Sequence, residues 1–328
     1  MTPEELYDLY ENNISSVINP SMLATIADYG NNVHGFNFIN RVLIYIQNKH
    51  ATSVMSGEAW EIAGRRLNSR PTAIWVIDQI LKTTYTDAET GEPIENSDLT
   101  LEEIDNAVRL GIFKKSKETI GLKSLPVFSL RDTTVYDSDT YKRYTKHFKA
   151  PIKVSGLLGL LSDWFNVQCE TLPPKSKSYF DLQTNTLHIS NDSVESKIYA
   201  IVDAITCQIN IDEARDSFIS SGGDQECSSA IEGVAKAFIR EYIKSIVIPE
   251  YFVDEGAFSE VNNFDFSDQN ITNYFISIMI SAYELAESIS GSLRPNTAGF
   301  DEVTLRKANQ LLNMIEANYE YLRIRGDS

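Results

Sequence analysis

Strand-forming runs in this chain are short and end by residue 190, and the chain beyond them is dominated by helical periodicity. The runs PTAIWVI (71–77) and PVFSLRDTTVY (126–136) are β-branched and aromatic and read as strands. YFDLQTNTLHIS (179–190) reads as a β-hairpin, or as a strand edge turning at Gln183–Asn185. Apolar residues at three- and four-residue steps predict helices over 3–30, 35–48 and 156–165, with a short one over 57–64. The same spacing predicts long helices over 195–210, 227–245, 269–290 and 302–323. The stretch 84–105 is rich in Asp, Glu, Thr and Asn and reads as an exposed insertion, with a helix over 101–110. This order predicts an α+β fold: a mixed α/β first half followed by a helix-rich second half with a small hairpin or sheet.

A length of 328 residues suits two domains of roughly 150 residues each, and the segment around Ala150-Pro151 is the expected boundary between 1–150 and 151–328. No apolar run approaches the ~20 residues a membrane span needs, so no membrane partner is expected. The start, Met1-Thr2-Pro3-Glu4-Glu5, is acidic and unlike a signal peptide, which predicts a cytoplasmic protein. Cys169, Cys207 and Cys227 form no CxxC pair, which excludes a zinc ribbon and predicts buried or idle thiols in a reducing compartment. The net charge of −17 divides as −4 over residues 1–150 and −13 over 151–328. Such a chain repels nucleic acid on average, so a nucleic-acid site would have to be a local cationic patch in the first half.

One ordered constellation stands between residues 37 and 77, NFINRVLIYIQNKHATSVMSGEAWEIAGRRLNSRPTAIWVI. Its Asn40, Leu43, Ile44, Gln47, Ala51, Thr52, Val54, Trp60, Gly64 and Arg65 follow in order the pattern of the ArdC-type antirestriction proteins, which this stretch resembles. Two departures are visible. The turn before the strand reads Leu67-Asn68-Ser69-Arg70-Pro71, without the Lys and Gly of the family. The later Tyr136-Asp137-Ser138-Asp139-Thr140 matches a family box shortened by one residue.

The resemblance implies that this half binds single-stranded DNA. The residue types suit that role, because unstacked bases stack on aromatic rings while cations follow the backbone. Arg41, Arg65, Arg66 and Arg70 are expected to line a groove, with Trp60 or Trp75 as a stacking platform. Lys142, Arg143, Tyr144 and Lys146 are expected to form a second basic patch. Asn40 and Gln47, seven apart and so on one helix face, either read a base or close a buried hydrogen-bond network. The alternative for each Trp is a core position, and for Arg65 a pairing with a carboxylate.

The family's second half resembles zinc metallopeptidases, in which two His at i and i+4 hold zinc and the intervening Glu takes a proton from the metal-bound water. Here the hairpin Tyr179-Phe180-Asp181…His188-Ile189 is kept. The register of the following helix, however, places Val202 and Thr206 at the two histidine positions and Asp203 at that of the base. Glu232 falls where a third ligand would lie. The four histidines, His34, His50, His147 and His188, show no metal-ligand spacing. The expectation is therefore no metal, no cofactor, no catalytic residue and no peptidase activity.

The leading functional expectation is a single-stranded-DNA-binding, antirestriction or anti-defence protein of a plasmid, phage or conjugative element, with a host restriction or defence protein as a possible second partner. The alternative is an acidic protein-binding or DNA-mimic inhibitor of a host defence or nucleoid protein. A contiguous face of carboxylates would favour the alternative.

Overall fold

The computed structural model describes residues 1–28, 36–51, 53–94, 100–148, 152–173, 175–190, 193–207, 211–248 and 250–293. The expected helix over 302–323, His34 and Thr52 fall outside them, as do the proposed boundary residues Ala150 and Pro151.

The architecture is α+β. Helix α1 (Pro3–Val17) begins with a capping box: the Thr2 side chain accepts from the Glu5 N–H while Glu5 reaches back to the Thr2 N–H. It buries Leu6, Tyr10 and Ile14, one face at four-residue steps. The single helix expected over 3–30 is two. α2 starts at Pro20 and ends at Asp28, because proline cannot donate the backbone hydrogen bond an uninterrupted helix needs there. Helix α3 (Phe38–Gln47) is capped by Asn37, and α4 (Gly57–Ile62) by Ser56.

The first sheet has the order β1-β4-β3, all antiparallel, with β1 Val54–Met55, β3 Ile74–Asp87 and β4 Phe113–Ser129. β3 and β4 form one long ribbon, with a register shift between Ile80 and Leu81. Only its base enters the core, through Ile74, Val76 and Val127. The stretch expected as an insertion from residue 84 therefore begins inside a strand, and the insertion proper carries α5 (Leu101–Arg109). Polar composition hid the strand, since a ribbon exposed on both faces lacks the alternation that a half-buried strand shows. Beside this sheet, β2 (Arg65–Leu67) pairs antiparallel with β5 (Thr133–Val135), and α6 (Ser138–Phe148) follows.

The second half runs α7 (Val154–Phe165), then a three-stranded sheet of order β6-β8-β7, with β6 Gln168–Thr171, β7 Tyr179–Asp181 and β8 Thr186–Ile189. The expected hairpin is β7–β8; the exposed, parallel β6 was not anticipated. Helices α8 (Val194–Thr206), α9 (Asp212–Ser220), α10 (Gln225–Val247) and α11 (Gln269–Leu293) complete it. α8 runs antiparallel to α10, as the pairs Glu195–Lys244 and Asp203–Lys236 record. α11 runs parallel to α10, with Tyr274 against Ser228 and Glu287 against Tyr242. That direction requires a crossover between α10 and α11, which holds a 3-10 helix over Glu255–Asn263. None of the described helices is long and apolar enough to cross a membrane.

The apolar faces of α1–α3 and the base of the ribbon belong to the same core as α7, α8, α10 and α11. Packing is thus continuous across the two halves of the sequence. A second, small core of Met55, Trp60, Ala63 and Tyr144 lies beneath β2, β5 and α6.

Candidate nucleic-acid interface

The small second core carries a corner built from the α4–β2 turn, β5 and the start of α6. Gly64 makes the corner possible. Its φ is +83°, and a Cβ there would lie 2.5 Å from the Asp137 carbonyl oxygen. The Gly64 carbonyl accepts from the N–H groups of both Tyr136 and Asp137, at 3.1 Å each. Asp137 then caps α6: Oδ1 accepts from the N–H groups of Asp139 and Thr140, and Oδ2 from the Thr140 hydroxyl at 2.7 Å. These bonds from Thr140 hold its carboxyl below the usual range.

The β2–β5 register sets Arg65 opposite Val135 and Arg66 opposite Thr134. Successive strand residues face opposite ways. Arg65 turns toward the small core, donating from Nε to the Thr133 hydroxyl at 2.7 Å and from Nη2 to the Thr133 carbonyl at 3.0 Å. Its guanidinium lies 4.7 Å from the Tyr141 ring centre and 5.8 Å from that of Trp60. Arg66 turns outward and lies 4.9 Å over the ring of Tyr136. Tyr136 is 50% exposed and its hydroxyl donates to the Glu61 carbonyl at 3.1 Å, which fixes the ring. Arg70, Arg131, Lys142 and Arg143 are exposed around this corner. Arg131 is held near β2 through its carbonyl, which accepts from Asn68, and Arg143 donates to the Thr140 hydroxyl at 3.1 Å.

Among the described residues no carboxylate lies within ion-pair distance of Arg65, Arg66, Arg70, Arg131, Lys142 or Arg143. In a chain with 46 acidic and 29 basic residues this corner gathers cations and aromatic rings, with Arg143 close enough to Asp137 to help hold its carboxyl ionised. It offers donors to anionic oxygens and one partly open ring face.

The other expected contacts lie elsewhere. Arg41 is fully buried, its Nη2 2.5 Å from Glu287 and its guanidinium 4.7 Å from the Tyr283 ring, so it lines no groove. Asn40 and Gln47 close a buried network rather than face a base: both amides pair with the backbone of β3, at Ile77 and Trp75. Trp60 is a core residue, 1% exposed, donating from Nε1 to the Phe128 carbonyl. Trp75 is half-buried against the main core. Tyr144 is buried, stacked beside Tyr141. The side chain of Lys146 lies outside the described residues. Tyr136, although part of the box named above, Tyr141 and Arg131 were given no binding role from sequence. The spacing of Tyr136 one residue before the Asp137 cap was the available signal for the first.

The positions that the resemblance sets at a zinc centre are filled otherwise. Val202 is fully buried. The Thr206 hydroxyl donates to the carbonyls of Val202 and Asp203. Asp203 pairs with Lys236 at 2.5 Å. Glu232 receives both Nε and Nη2 of Arg215, at 2.7 and 2.8 Å, and the Tyr274 hydroxyl at 2.9 Å. Burial opposes its ionisation, yet the bonds from Arg215 and Tyr274 outweigh burial and hold its carboxyl below the usual range. Protein cations thus occupy both carboxylates, and the residues present do not fit a zinc ion. Among the described residues no group of three His, Cys, Asp or Glu is placed to hold a metal.

No family model matches the chain, and no curated protein matches it by sequence. Among solved structures, the metal-free form of the antirestriction protein ArdC from plasmid R388 aligns at 12% identity and a TM-score of 0.39, over 80% of this chain and 89% of that one. Its Mn(II)-bound form aligns at 11% identity and a TM-score of 0.42, over 90% and 98%. The chain is thus similar to the ArdC structures along most of its length, at low identity.

Proposed function

We propose that this protein binds single-stranded DNA at the β2–β5–α6 corner and serves as an antirestriction-type protein. We also infer that its second half performs no metal-dependent peptide hydrolysis and acts as scaffold. The observation that carries the binding reading is the set of five exposed cations, Arg66, Arg70, Arg131, Lys142 and Arg143, without ion-pair partners among the described residues, beside an exposed tyrosine on a strongly acidic chain. Cations already spent on internal carboxylates, such as Arg41, Arg215 and Lys236, would release no counterions from a strand, whereas these can.

The test is fluorescence anisotropy of the full chain with a labelled oligodeoxythymidylate at several salt concentrations. Binding is expected to weaken with a log–log slope near −0.7 for each phosphate contacted, about −2 to −3 for three or four contacts. The double variant Arg66→Ala/Arg143→Ala should flatten that slope by about one unit. Absence of binding at micromolar protein and low salt overturns the reading.

A further inference from the structure

We propose that a nucleobase continues the stack already formed by the Tyr136 ring and the Arg66 guanidinium, so that the corner recognises unpaired bases and not the phosphate backbone alone. This rests on the nucleic-acid reading above and deepens it.

The geometry is specific. A tyrosine half exposed on an acidic protein is ordinarily free to rotate, but Tyr136 is tethered at both ends. Its backbone N–H is bound to the Gly64 carbonyl, and its hydroxyl donates to the Glu61 carbonyl at 3.1 Å. The guanidinium of Arg66 rests over the ring at 4.9 Å, and among the described residues it donates to no competing carboxylate. Ring and guanidinium therefore present flat, oriented surfaces in solvent before any ligand arrives. Nucleobases stack on both kinds of plane. A duplex hides its base faces in its own stack, so only an unpaired base can extend this one. By contrast Arg65, turned inward onto Tyr141 and Thr133, has its guanidinium committed to the fold.

The experiment separates base from backbone. Full-length protein is titrated into a labelled twelve-residue oligodeoxythymidylate and into an abasic phosphodiester strand of the same length and charge. Wild type is expected to bind the thymidylate about tenfold more tightly than the abasic strand. Tyr136→Ala should lose about tenfold on thymidylate and leave abasic binding unchanged, while Tyr136→Phe, which keeps the ring, retains most of the affinity. Arg66→Lys, which keeps the charge and loses the plane, should weaken thymidylate binding at an unchanged salt slope. Equal losses on both strands for Tyr136→Ala, or no loss on either, overturn the stacking inference and leave the electrostatic site standing. Failure of wild type to bind either strand at low salt overturns both.

Discussion

Gln47 holds Trp75 by both ends of its amide: Nε2 donates to the Trp75 carbonyl at 2.8 Å, and Oε1 accepts from the Trp75 N–H at 2.9 Å. Two turns earlier on α3, Asn40 does the same for Ile77, at 2.7 and 2.8 Å. β3 is an edge strand, and without these amides its outward backbone groups would be left without partners against α3. The two side chains act as a strand laid along that edge.

Replacing either amide by an isosteric apolar chain leaves a buried N–H and carbonyl unpaired, at a cost of about 2 kcal/mol. Asn40→Leu and Gln47→Leu are therefore expected to lower the Tm by several degrees. Under the proposed function, binding of single-stranded DNA by these variants, measured at a temperature where both remain folded, should match wild type. A variant that lost binding without losing stability would return these residues to the interface.

The pair Arg41–Glu287 joins α3 to α11 inside the shared core, with Tyr242 donating to Glu287 at 2.6 Å and Tyr283 to the Phe36 carbonyl at 2.8 Å. Removing one member of a buried pair strands the other charge and costs about 3–5 kcal/mol. Arg41→Met should shift the urea midpoint strongly downward, and Arg41→Met/Glu287→Leu should recover part of the loss. Loss of cooperativity in Arg41→Met, with the first half melting separately, would show that this contact couples the two halves.

Periodicity exposed the helices because each of the long ones buries a stripe, as Ile231, Val234, Phe238 and Tyr242 do on α10. It missed the distal ribbon and β6, whose residues are exposed and carry no alternation. It also missed α9, where only Phe218 is buried. The placement of the candidate residues was legible in part. Arg65, Arg66, Arg70, Lys142 and Arg143 lie about one corner, since β2 and α6 flank it. No local pattern distinguishes Arg41, which a distant Glu287 claims, from Arg66, which no acid claims. The choice is made by residues 246 positions apart. Aromatic roles inverted too: Trp60 is 1% exposed and packs in the small core, while Tyr136 is 50% exposed beside Arg66.

The carboxylates at the positions that the resemblance sets at a zinc centre bind Arg215 and Lys236, so addition of zinc or manganese is expected to leave the Tm unchanged, and metal analysis of dialysed protein should find substoichiometric content. Arg215→Ala should cost about 1–2 kcal/mol, because Glu232 is partly buried and loses two charged bonds. A Tm rise of several degrees with either metal in the wild type would contradict this account.

Glu284 on α11 is 8% exposed, and among the described residues no hydrogen bond or ion pair reaches it. Burial alone pushes its carboxyl up to about 7, from 4.5. Between those two values the native state keeps a proton that the unfolded chain releases. The contribution of Glu284 to stability is therefore fully present below about pH 4.5 and is lost as the pH rises through 7, up to about 3 kcal/mol. Glu284→Gln keeps the neutral shape at every pH. It is expected to match wild type near pH 5 and to be more stable than wild type at pH 8, so the difference in Tm between the two proteins should open across that interval. A constant difference from pH 5 to pH 8 would mean that Glu284 is ionised in the native state throughout, and that its environment is wetter than its burial implies.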